Sequence, residues 1–127
     1  RRQEWPDQPF DGLSLVPLLR DPTAALDREA IYFHYPHYHH STPAGAIRQG
    51  DWKLIEFFET GGVELYNLRD DLGEQHNLAA EQPQRIGQMR ERLAAWRTEV
   101  SAKMPTENPD YDPARAAEIV RNRRRDR

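Results

Sequence analysis

Two glycine-marked reversals, Gly50-Asp51 and Thr60-Gly61-Gly62, cut an apolar stretch into three short segments, and nothing else in the chain constrains its fold as tightly. Glycine reaches positive φ without a Cβ clash, so each reversal suits the tight turn that joins antiparallel strands. The segments are residues 46–49, 52–58 and 63–68. In the last of them Val63, Leu65 and Asn67 alternate with Glu64, Tyr66 and Leu68, the period-two pattern of a strand. Residues 52–58 are apolar on both faces, as a central strand covered on both sides requires. Consecutive strands with such short turns make an antiparallel meander. Upstream, residues 30–35 are rich in aromatic and β-branched side chains and predict one more strand, ended or confined to an edge by Pro36.

A helix is expected over 83–102. Ile86, Met89, Leu93, Trp96 and Val100 recur at three- and four-residue steps, which puts them on one face. Pro83 suits a first turn and Pro105 stops the chain beyond the last. The apolar stripe of that helix needs a sheet to cover. The fold class that follows is α+β: a small antiparallel sheet of about four strands with one long C-terminal amphipathic helix packed on it, and flexible ends.

At 127 residues the chain is long enough for one domain, with its apolar residues concentrated between 30 and 104. Residues 1–29 read as a connector. Pro6 and Pro9 oppose regular structure, Ser14 caps a short turn with Pro17 near its start, and Leu15, Leu18 and Leu19 offer an apolar anchor. Residues 105–127 read as a polar tail, with coil over 108–113 and a weak helical stretch over 114–121. A formal net charge of −3 argues against a nucleic-acid binder, and the basic run from Arg121 to Arg127 is interrupted by Asp126 and carries no aromatics. No stretch of about 18 apolar residues exists, so no membrane span is expected. The absence of cysteine says nothing about compartment.

Most of the histidines fall together at His34, His37, His39 and His40, interleaved with Tyr35 and Tyr38. Three roles fit this cluster. Imidazole is the commonest transition-metal ligand, but no H-E-x-x-H or His/Cys pairing accompanies it, and adjacent His39 and His40 converge poorly on one ion. An ordinary exposed loop with surface histidines is the second. The third is a substrate-contacting loop: neutral histidine donates to hydroxyls, protonated histidine attracts an anion, and tyrosine adds a stacking face and a hydroxyl. His34 and His37, which bracket Pro36, are the best placed for it.

Arg48 is the remaining candidate, since a guanidinium forks onto sulfate or carboxylate oxygens; the alternative is an ion pair with Asp51, Glu56 or the acidic segment after Arg69. Lys53 has the same two readings. Asp70, Asp71 and Glu74 offer hard oxygens for calcium but lack EF-hand spacing, and a helix-leading turn explains them better. No Gly-rich phosphate loop, Ser-His-Asp set or catalytic carboxylate pair is present.

Residues 46–78, AIRQGDWKLIEFFETGGVELYNLRDDLGEQHNL, resemble the C-terminal subdomain of the alkaline-phosphatase-like type I sulfatases. That pattern is a strand of the type a-I-R-x-G-D-W-K-L-I, a turn, a strand E-L-Y-N-L, and an acidic D-x-x-E-x-x-N-L turn into a final helix. Asp11-Gly-Leu-Ser-Leu-Val-Pro-Leu-Leu19 is similar to the segment that leaves the family's large catalytic domain. The resemblance covers roughly 11–104.

It implies a C-terminal part of a sulfatase that hydrolyses aryl or carbohydrate sulfate esters, completing the fold and lining the substrate pocket. The partners implied are an N-terminal sulfatase catalytic domain and a small sulfated substrate, with no nucleic acid and no membrane. Type I sulfatases use a formylglycine, made from Cys or Ser in C/S-x-P-S-R, beside a bound calcium. This sequence contains neither a cysteine nor that motif. No cofactor is therefore expected here: calcium and formylglycine belong to the N-terminal domain, and this part alone is expected to be inactive. His34, His37 and Arg48 are the substrate-binding candidates, with no catalytic residue and no metal ligand. A periplasmic or secreted parent is implied. The alternatives are a non-catalytic structural or binding module, or part of a phosphonate or phosphate monoester hydrolase of the same superfamily.

Overall fold

The computed structural model describes residues 12–38 and 41–115. Their elements run α1 (Val16–Arg20), β1 (Ile31–Tyr35), β2 (Ala44–Gln49), β3 (Trp52–Phe57), β4 (Val63–Asn67) and α2 (Pro83–Glu99). The four strands pair in chain order as an antiparallel meander. Gly50 at φ +58° and Gly61 at φ +65° occupy the left-handed region in the two tight turns, where a Cβ would be strained. The α+β architecture expected from the sequence is the one observed.

Register decides which residues share a face. Tyr32, Ile47, Leu54 and Leu65 stand in one row across the sheet, and His34, Gly45, Glu56 and Val63 in another row on the same side. That side carries the core: Ile47, Leu54 and Leu65 are fully buried against Met89 and Leu93 of α2, with Tyr32, Trp52, Ile86 and Trp96 packed around them. Burying side chains of this size stabilises by about 1.5–3 kcal/mol each, so this cluster is what holds α2 to the sheet. Arg85 lies over the Trp52 ring at 4.1 Å and closes one end.

The outer edge of β4 is covered. Leu65 donates its amide to the Asn77 side chain (3.1 Å) and accepts the Leu78 amide (2.8 Å) on its carbonyl. Pairing of this kind protects an edge that would otherwise be free to recruit another strand.

Two boundaries differ from the sequence expectation by more than one residue. β2 begins at Ala44, because pairing with Phe57 and Tyr35 carries two small residues of low strand propensity into the sheet. α2 stops at Glu99, where Ser101 enters the left-handed region (φ +52°) and Ala102 donates to the Arg97 carbonyl (2.8 Å). Val100 therefore lies past the last turn, 48% exposed, and is not part of the buried stripe. The expected helix over 114–121 falls mostly outside the described residues, as do 1–11, His39 and His40.

The far side of the sheet has no covering layer among the described residues. Ile31, Phe33 and Tyr35 of β1 stand there beside Ala44, Ala46 and Ile55, and Phe33 and Tyr35 are 54% and 52% exposed. The two-sided apolarity of β3 is thus matched by a helix on one face only. α1 is similarly unpacked: none of its residues is buried, and Leu19 is 82% exposed.

Candidate functional site

His34, next to last in β1, lies on the helix side of the sheet. Its Nε2 lies 2.8 Å from the carbonyl oxygen of Lys103, just past α2, and its ring tilts against Phe58 with centroids 5.3 Å apart. The carbonyl can only accept, so Nε2 carries the hydrogen of that bond. Nδ1 is buried and without a partner among the described residues.

His37 lies beyond Pro36 in the turn that leaves β1. It is exposed, and its ring meets Tyr35 edge-on with centroids 5.7 Å apart. Tyr38 follows and donates its hydroxyl to Glu59; that hydrogen bond, with a smaller contribution from burial, raises the hydroxyl above its ordinary pKa.

Arg48 sits on the open face, directly opposite Lys53 in the β2–β3 register, and is exposed. Among the described residues it has no ion pair, whereas Lys53 reaches Glu74 (2.6 Å) and Asp51 is taken by Arg69 (2.5 Å). Side-by-side like charges repel, so Glu74 offsets the Arg48–Lys53 juxtaposition. Arg48 is four residues along the strand from Ala44, about 13 Å at the usual rise, and the two histidines gather at that far end. The structure therefore brings His34 and His37 to one end of the sheet and leaves Arg48 at the other, on the face opposite His34.

A charged cluster that sequence spacing did not reveal lies between sheet and helix. Glu56, near the end of β3, accepts from Arg97 and, at 2.8 and 2.9 Å, from two nitrogens of Arg90; the two arginines stand two turns apart on one helical face. Glu56 and Arg97 are only 12% and 14% exposed. Burial pushes the Glu56 carboxyl pKa up, but the two arginines outweigh it and the net direction is down. Arg97 also lies over the Phe58 ring, 5.0 Å from its centroid. Gly45 makes room for this: a Cβ there would stand 3.1 Å from the Phe58 ring and 3.2 Å from the Arg97 guanidinium.

The acidic turn after β4 has internal work for each of its carboxylates. Asp71 accepts the His76 amide (2.8 Å), Asp70 accepts from Asn67 (2.6 Å), and Glu74 pairs with Lys53. Backbone N–H groups of Gln75 and His76 hold the Asp71 pKa low. Among the described residues no three His, Asp or Glu side chains converge as a metal site would require. The open face carries a shallow apolar cleft of about 280 Å³, lined by Phe33, Tyr35, Ala44, Ala46, Lys53 and Ile55.

Residues 3–99 match the family described as N-sulphoglucosamine sulphohydrolase, C-terminal. The chain belongs to this family. A sulfatase of Formosa agariphila is 34% identical over 102 residues, covering 70% of this chain and 18% of its own length. The solved structure of BT4656 in complex with its substrate D-glucosamine-2-N,6-O-disulfate is 29% identical, with a TM-score of 0.60 over 78% of this chain and 22% of that one. BT1596, a 2-O GAG sulfatase, is 25% identical with a TM-score of 0.67, over 82% of this chain and 23% of that one. The chain thus spans about a fifth of the sulfatases it matches, and the four-stranded sheet with its helix is a sulfatase C-terminal domain. No helix among the described residues is long and apolar enough to cross a membrane.

Proposed function

We propose that this chain is the C-terminal part of a sulfatase acting on sulfated sugars, and that it works by closing one side of the substrate pocket. Its likeness to a sulfatase bound to a disulfated glucosamine carries this reading. The open sheet face supports it physically. A shallow apolar patch with two half-exposed aromatic rings is what a surface looks like when a larger domain covers it, and α1 is an apolar helix that is likewise unpacked. The partner is the N-terminal catalytic domain.

His37 is the substrate contact at the rim, next to Tyr35, where an imidazole and a phenol suit sugar hydroxyls and a sulfate. Arg48 gives a second anion contact at the other end of the open face, and His34 supports the turn from behind. None of these is a nucleophile. The formylglycine and calcium chemistry of the reaction belongs to the catalytic domain: the carboxylates of the turn after β4 are already engaged, and the sequence has no C/S-x-P-S-R. Such a parent is exported, periplasmic or secreted.

The test is to recover the reading frame upstream of Arg1, express the longer protein, and measure sulfate released from glucosamine carrying N- and 6-O-sulfate, with an aryl sulfate and an aryl phosphate alongside. Sulfate release supports the proposal. Phosphate release alone would assign the parent to the phosphoester hydrolases, and no release at all would leave a non-catalytic module.

A further inference from the structure

We infer that Arg97 of α2 is a positioning residue for the turn His37–Tyr38, acting through Phe58 and Glu59. The inference rests on the turn being the substrate rim. Three separate contacts tie the segment between β1 and β2 to residues 58 and 59. Phe58 donates its amide to the Pro43 carbonyl (3.0 Å), at the point where the chain re-enters the sheet. The His34 ring packs on the Phe58 ring where the chain leaves it. Tyr38, in between, donates its hydroxyl to Glu59. Phe58 and Glu59 lie in the turn between β3 and β4, closed by Phe57 with Gly61 and Gly62 (2.9 Å each), so the sheet fixes the backbone of the turn but not the Phe58 ring.

What holds that ring comes from the helix. The Arg97 guanidinium covers the Phe58 ring and is itself held by Glu56, while Arg90 holds the other oxygen of the same carboxylate. Gly45 is the one position in that row where a side chain would push ring and guanidinium apart. The His34 bond to the Lys103 carbonyl adds a second tie from the segment after α2. A planar guanidinium can lie on a ring and donate in its own plane at once, as Arg97 does with one nitrogen to Glu56, and a lysine ammonium cannot. Arg97 is therefore needed as arginine, whereas Arg90 shares the carboxylate but does not touch Phe58.

That difference supplies the test. In the longer protein, Arg97→Lys and Arg90→Lys are compared by hydrogen exchange of the peptide spanning 35–44 and by KM and kcat for sulfated glucosamine. Arg97→Lys is expected to speed exchange in that peptide about tenfold, with Arg90→Lys leaving it near the parent rate. KM should rise with Arg97→Lys, roughly tenfold, while kcat stays nearly constant, because a loosened rim weakens the hold on bound substrate. Unchanged exchange in Arg97→Lys, or equal change in both variants, overturns the inference. Faster exchange in Arg97→Lys alone sustains it whatever the kinetics do; an unmoved KM would then count against His37 as the substrate contact, which is the separate claim made above.

Discussion

Tyr32 lies flat against Trp96, ring centroids 4.9 Å apart and planes 4° from parallel, so the edge strand β1 is fastened directly to α2. Burial raises the Tyr32 hydroxyl pKa, with the nearby Glu99 adding to it. Trp96 also borders the core cluster. Trp96→Ala is expected to cost about 3 kcal/mol, at the lower end for a large aromatic because Trp96 is only half-buried. Urea denaturation measures the cost. Hydrogen exchange should show β1 opening first, since it is the edge strand that loses its tie.

Two glycines should respond to alanine in opposite directions. At Gly45 a Cβ meets the Phe58 ring at 3.1 Å and the Phe33 carbonyl at 3.3 Å, and backbone cannot move aside cheaply. Gly45→Ala is expected to destabilise by about 1–3 kcal/mol. Gly87 sits on the exposed side of α2 with nothing within 4 Å of an added Cβ. Gly87→Ala is expected to stabilise by up to about 1 kcal/mol, as helix propensity dictates. Thermal melts of the two variants give both signs in one experiment.

Glu56 sets the acid side of the stability profile. Its folded pKa lies below the ordinary glutamate value, so its contribution is complete above that value, about 4.3, and is lost as pH falls through the lower folded one. Asp71, held low by the amides of Gln75 and His76, acts in the same direction. Glu56→Gln removes the charge between two arginines and should cost about 3 kcal/mol near neutral pH. As pH falls from the ordinary glutamate value through the lower folded one, the variant and the parent chain should converge. Urea midpoints across that range check it; parallel curves would show that Glu56 is not the titrating group.

Much of the fold was legible because it is written locally. The glycine turns, the alternation of residues 63–68 and the proline-bracketed stripe each name one element, and all appear where expected. The parity of β1 and β2 was legible too, though unused: His34 shares its face with Tyr32, while Arg48 shares its face with Ala46. Only the register between β1 and β2 then shows that the two faces are opposite ones. The Glu56 cluster was not legible, because its partners stand 34 and 41 residues away and meet only once the helix has docked. Val100 was misplaced for a local reason, the left-handed Ser101, which a serine does not advertise. The open face could only be seen whole: an apolar strand implies a cover, and only the register shows which side has one.

In the proposed function this open face is covered by the rest of a larger sulfatase. Phe33 and Val100 are similarly exposed in this chain, 54% and 48%, and the chain has no cysteine of its own. Phe33→Cys and Val100→Cys can therefore be compared by thiol labelling in the longer protein, read peptide by peptide. Labelling at position 33 is predicted to be about a hundredfold slower than at position 100, independent of protein concentration. Equal labelling, or protection of position 33 that appears only as the protein self-associates, would contradict the account.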